Sequence, residues 1–121
     1  MKLDALRAFC ATLPGATRDI KWGADECYCV GGKMYAVFFP ADGPARSVSF
    51  KCEPARFLEL TDVPGIVPAP YLARAHWVHV EDARALTDAA ARELLTMSHA
   101  LVFARLTRRE RDAITSTQAP R

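Results

Sequence analysis

Three groups of residues in this chain could do chemistry: four cysteines, three histidines, and the lysine that follows a glycine pair. Cys27 and Cys29 are one residue apart, where a structural zinc knuckle needs two, and no second pair follows. Cys10 and Cys52 lie in apolar stretches, where a free thiol behaves as a small hydrophobe. His76 and His79 are three apart on an expected strand, so they point to opposite faces and cannot share a metal. His99 follows Ser98 on an expected helix, where neighbouring side chains splay apart and no third group orients them. Val30-Gly31-Gly32-Lys33 lacks the spacing of a phosphate loop, and a strand follows it instead of a helix. The expectation is therefore no catalytic residue, no metal, no cofactor and no enzyme.

The bulk properties are those of an ordinary globular chain. The chain has 121 residues, half of them hydrophobic and a quarter charged, with a formal net charge of +2. That composition is enough for one core and excludes a disordered chain. A small positive excess does not announce a nucleic-acid partner, because binding depends on a local patch. We expect one domain over residues 1–112 and a flexible tail over 113–121. Met1-Lys2-Leu3-Asp4 runs straight into an amphipathic pattern, and no apolar stretch reaches the roughly 20 residues a bilayer needs. The expected setting is a cytoplasmic monomer, with no membrane partner and with reduced thiols.

Leu3, Leu6, Phe9, Cys10 and Leu13 recur at helical spacing, which predicts a helix over 3–12 ended by Pro14-Gly15. Residues 17–22 read as a strand and 23–25 as a turn. Two β-prone runs then flank Gly31-Gly32, which predicts a hairpin over 26–39 with a two-residue turn. Residues 46–51 alternate, with Val48 and Phe50 on one side and Ser47, Ser49 and Lys51 on the other. Pro54 suits the first turn of a helix over 54–61. The prolines from Pro64 to Pro70 exclude regular structure there. A strand over 76–80 and a long helix capped by Thr87 complete the order. Hairpins and terminal helices imply an α+β fold, an antiparallel sheet with helices packed on one face.

Regular pairing outward from Gly31-Gly32 matches Val30 with Lys33, Cys29 with Met34, Tyr28 with Tyr35 and Cys27 with Ala36. One face then carries Cys27, Cys29, Met34, Ala36 and Phe38, and it is assigned to the core. The other carries Glu26, Tyr28, Val30, Lys33, Tyr35, Val37 and Phe39, and it is assigned to the open side. Lys33, Tyr35 and Lys51 share that open face, with Lys21, Arg46, Arg74 and His76 at its rim. Lysine meets phosphate as a point charge and tyrosine stacks on bases. Asp25, Glu26 and Glu53 oppose this by repelling phosphate. Arg105, Arg108, Arg109 and Arg111 are read as cations that complement a helix C-terminus.

Several stretches, in order, resemble the YjbR/MmcQ family. They are Leu13-Pro14-Gly15-Ala16, Lys21-Trp22-Gly23, Val30 through Ala36, Leu58 with Pro64 through Tyr71, His76-Trp77-Val78, and Met97 through Val102. The resemblance implies a frataxin-like (CyaY-like) α+β domain and the double-wing arrangement behind that family's DNA-binding label. Family members often carry tyrosine after Ser98, where this chain has His99. A frataxin-like acidic ridge for iron is not expected, because the first helix offers only Asp4. The leading expectation is a small non-enzymatic binding domain that contacts DNA through the open sheet face and wing hairpins, using Lys21, Lys33, Tyr35, Arg46, Lys51, Arg74 and His76. The alternative is a protein-interaction or regulatory adaptor that presents the Pro64–Trp77 segment to another protein. A third reading, an enzyme or small-molecule binder, needs a pocket, and a deep cleft holding His76, His79 or His99 beside a carboxylate would revive it.

Overall fold

Gly31 and Gly32 adopt φ of 57° and 78°, the left-handed values a tight hairpin turn demands, and glycine reaches them without a Cβ clash. The turn joins β2 (Asp25–Val30) to β3 (Lys33–Phe39). Val30 opposes Lys33 and Cys29 opposes Met34, as expected. The next pair is Tyr28 with Ala36, so Tyr35 is an extra residue and the ladder carries a β-bulge. One inserted residue moves everything beyond it to the other face.

The computed structural model describes residues 1–21 and 24–118. Its order is α1 (Leu3–Cys10), β1 (Ala16–Lys21), β2, β3, β4 (Ser47–Lys51), α2 (Pro54–Thr61), β5 (Ile66–Pro68), β6 (Trp77–Val80), α3 (Asp88–Phe103) and α4 (Arg108–Gln118). The six strands form one antiparallel sheet in the order β1-β2-β3-β4-β6-β5. α1 and α3 pack against each other, and α3 lies across β3 and β4. This is the α+β architecture expected.

The main core lies between the sheet and the helices. Phe38, Val48, Phe50, Val78 and Val80 project from the strands onto Leu6, Leu94 and Leu95. The alternation of β4 is as expected, with Val48 and Phe50 inward. The faces of β2 are reversed. Tyr28 and Val30 are in the helix-side core, whereas Cys27 and Cys29 pack on the opposite face with Val37, Ala69 and Trp77. The bulge is the reason. Tyr35, expected on the open face, is completely buried on the helix side.

One further expectation changes. β5 forms inside the proline-rich segment, and it does so at the sheet edge, where proline's missing N–H leaves no central ladder incomplete. α4 runs over Arg108–Gln118, into the segment 113–121 expected as a tail. A reciprocal capping box starts that helix: the Glu110 N–H donates to Thr107 Oγ1 and the Thr107 N–H to Glu110 Oε1. Ile114 then packs against the main core. The expected turn residue Gly23, the strand's expected end at Trp22 and residues 119–121 lie outside the described residues.

Candidate functional site

On the sheet face away from the helices there is a cleft of about 700 Å³. Val37 and Phe39 of β3 form one wall. Ala69, Pro70, Tyr71 and Leu72, in the connection from β5 to β6, form the other. Ser47 and Ser49 of β4 and His79 of β6 supply its polar side, and Asp25 its single charged group. A volume of this size and a mostly apolar lining with few polar groups suit a small ligand.

The strand ladder sets the polar pair. Ser49 and His79 are direct cross-strand partners, and Ser49 Oγ shares a hydrogen bond of 2.7 Å with His79 Nδ1. Burial holds the His79 ring below the ordinary histidine pKa, with Glu81 pulling weakly the other way. The ring is therefore neutral near pH 7. It also meets Phe39 edge-on, with the ring centres 5.3 Å apart. Among the described residues no carboxylate hydrogen-bonds its other nitrogen. Tyr71 stands at the wall with a fully exposed ring and a left-handed backbone, φ 65°, which is strained for a non-glycine residue.

A second depression of about 360 Å³ adjoins the cleft and shares Asp25, Phe39 and Ser47 with it. Arg46 and Pro40 complete its lining. Neither the Asp25 carboxylate nor the Arg46 guanidinium makes an ion pair with a described residue.

The residues expected to bind nucleic acid fall into two groups. Lys21 ends β1 opposite Asp25, and the exposed Arg46 precedes β4, so both lie at one end of the sheet. Lys33 starts β3 and Lys51 ends β4, so both lie at the other end, but Lys33 opposes Val30 and therefore turns to the helix side, near Glu110 of α4. Lys51 Nζ donates to the Ala75 carbonyl at 2.5 Å, which brings it beside the turn carrying the exposed Arg74. Burial and the nearby Arg105 lower the Lys51 pKa. His76 is not on a strand: it follows that turn in a left-handed conformation and meets Phe57 edge-on. Tyr35 is removed from this face altogether, because its hydroxyl donates to the Cys10 carbonyl at 2.7 Å inside the core. Its pKa is raised by burial.

The other reactive groups are held structurally. All four cysteines are free and buried. Burial pushes the Cys10 thiol up to about 12 and Cys27 to about 11, well away from a reactive thiolate. No cluster of three metal-binding side chains occurs among the described residues. His99 Nε2 donates to the Pro14 carbonyl at 2.7 Å, tying α3 to the start of β1. Ser98 Oγ donates to the carbonyl of the bulged Tyr35 at 2.6 Å and accepts from the Lys51 N–H at 2.9 Å.

The sequence signal for the cleft was the alternation Val78-His79-Val80. It puts His79 outward beside the outward Ser49 once β4 and β6 are known to be neighbours. That adjacency skips α2 and β5, so no local pattern reports it.

Comparison with known proteins gives a family and no activity. No curated protein matches the chain. The crystal structure of a Deinococcus radiodurans protein with a DUF419 domain is 28% identical, covers 93% of this chain and 87% of its own, and superposes with a TM-score of 0.80. A Pseudomonas syringae protein is 20% identical, covers 84% of this chain and 99% of its own, and has a TM-score of 0.68, a likeness of fold. No helix among the described residues is long and apolar enough to cross a membrane. Residues 11–101 match the family model described as YjbR, and the chain belongs to the YjbR family.

Proposed function

We propose that this protein is a non-enzymatic binding domain whose ligand enters the cleft on the sheet face opposite the helices. The observation that carries the reading is the cleft itself: about 700 Å³ bounded by Val37, Phe39 and Leu72, with one neutral hydrogen-bonding pair, Ser49 and His79. A binding role suits that pair better than catalysis. A serine nucleophile needs a base that is itself oriented by a third group, and His79 gives its Nδ1 to Ser49 with no carboxylate behind the ring among the described residues. The test is fluorescence of an environment-sensitive apolar dye. The wild type is expected to bind it in a saturable way, and Leu72→Trp, which fills the cleft, to bind it at least tenfold more weakly while melting at a similar temperature. Equal binding by the two proteins overturns the reading.

DNA binding is the second reading. What supports it is the basic residues at the two ends of the far face, Lys21 and Arg46 at one and Lys51 and Arg74 at the other. An extended strand crossing the face would meet cations at both ends, and affinity would fall steeply with salt. Fluorescence anisotropy with single- and double-stranded DNA at low ionic strength tests it. Binding that Lys51→Glu and Arg46→Glu each weaken supports it, and no binding of either form rejects it. The adaptor reading rests on the exposed Tyr71 in the Pro64–Trp77 segment. A stoichiometric protein partner lost in Tyr71→Ala supports that reading, and a partner retained by that variant counts against it.

A further inference from the structure

Two opposite charges border the small depression and are not used on each other. Asp25 and Arg46 both line it, yet no ion pair joins them, and neither side chain hydrogen-bonds another described residue. Some other charged groups of this chain are used on each other. Glu26 is paired with Arg7 and Arg18, and Asp82 with Arg84. Lys21 lies opposite Asp25 across the β1–β2 ladder, also without an ion pair, and adds a second cation on that side. The depression opens into the apolar cleft through the shared residues Phe39 and Ser47.

We infer that the two concavities form one site for a small zwitterion with an apolar side chain, and that the chemical class it fits is a free aromatic α-amino acid. This rests on the cleft being the binding site. The ligand carboxylate meets Arg46, its ammonium meets Asp25, and its ring enters between Phe39 and Leu72. Charge-assisted hydrogen bonds of this kind are about twice as strong as neutral ones. An apolar wall beside them reduces screening. A ligand with only a negative head gains Arg46 but faces the Asp25 carboxylate, and one with only a positive head faces Arg46. At the cleft's polar side the uncharged Ser49–His79 pair has hydrogen-bonding capacity for a ring hydroxyl.

Isothermal titration with four probes tests this: L-phenylalanine, L-tyrosine, 3-phenylpropionate and 2-phenylethylamine. The two amino acids are expected to bind at least tenfold more tightly than either analogue that lacks one charge. Asp25→Asn should abolish the advantage over 3-phenylpropionate, and Arg46→Gln the advantage over 2-phenylethylamine, with melting temperatures unchanged because both side chains sit at the surface. Equal binding of all four probes overturns the inference and leaves the cleft as an apolar site. Binding of the apolar dye, lost in Leu72→Trp, with none of the four probes bound does the same. Failure of the dye and of all four probes overturns the inference and the cleft reading together.

Discussion

The two faces of the sheet are built from alternate residues of the same strands, and they have different fates. On the helix side the polar groups that enter the core are mostly held, although Arg7 Nε, 2.9 Å from Glu26 Oε1, makes no hydrogen bond of good geometry. Glu26 is almost fully buried but lies between Arg7 and Arg18, and the Tyr28 hydroxyl donates to it at 3.2 Å. The carbonyl of the bulged Tyr35 is taken by Ser98, and the Tyr35 hydroxyl by Cys10. Arg7 further donates to the carbonyls of Pro40 and Gly43, which bolts the first helix to the loop after β3. On the far side a smaller apolar group around Cys27, Cys29, Val37 and Trp77 is only partly roofed, and a cleft remains. A filled face supplies stability, and an unfilled face is where a ligand can be accommodated.

Adjacent phenylalanines give the sharpest way to break this contrast. Phe38→Ala empties the helix-side core and is expected to cost about 4 kcal/mol. Phe39→Ala removes a cleft wall whose ring is already partly uncovered, and should cost about 2 kcal/mol or less. Urea denaturation measures both, and equal losses would show that the two faces are equally packed.

The hairpin turn makes a second comparison. A Cβ at Gly31 would lie 2.6 Å from the Leu106 side chain, whereas one at Gly32 meets nothing. Both positions have positive φ, so each alanine carries a backbone cost of about 1 kcal/mol. Gly31→Ala should lose about 3 kcal/mol in total, because the overlap with Leu106 must be relieved as well. Chemical denaturation of the two variants tests the ordering.

Ser98→Ala comes next. It leaves the Tyr35 carbonyl and the Lys51 N–H without their shared partner, at about 2 kcal/mol. Threonine at 98 keeps the hydroxyl and should recover part of that loss.

The smallest effect belongs to the far face and depends on pH. His79 is held neutral by burial, with Ser49 and Phe39 against its ring and Glu81 nearby. The unfolded chain takes up this proton near the ordinary histidine value of 6.5, and the folded chain only at lower pH. Below about pH 6.5 the unfolded state therefore binds more protons, and stability falls as pH drops. His79→Gln should flatten that part of a stability-against-pH curve. An unchanged slope would place the titration elsewhere.

Much of the fold was legible because its signals are local. Pro54 marked α2, Gly31-Gly32 fixed the turn, and Val48 and Phe50 announced the inward side of β4. The faces of β2 were not legible, since alternation is read without insertions and the bulge at Tyr35 is held by Ser98, 63 residues away. α4 had a readable signal that composition obscured: Thr107 and Glu110 form a capping box ahead of a mostly polar helix. The site was least legible. Ser49 and His79 meet only because β4 pairs with β6, and Asp25, first read as a repellent for phosphate, is the charge that borders both concavities.

The claim that the far face is the binding face can be tested most directly by amide chemical-shift mapping during titration with L-phenylalanine. Perturbations concentrated at Asp25, Val37, Ser49, Leu72 and His79, with Tyr28 and Phe38 on separate β2–β3 positions less affected, are the predicted result. Shifts confined to the basic residues at the hairpin end, or to the helices, would contradict it.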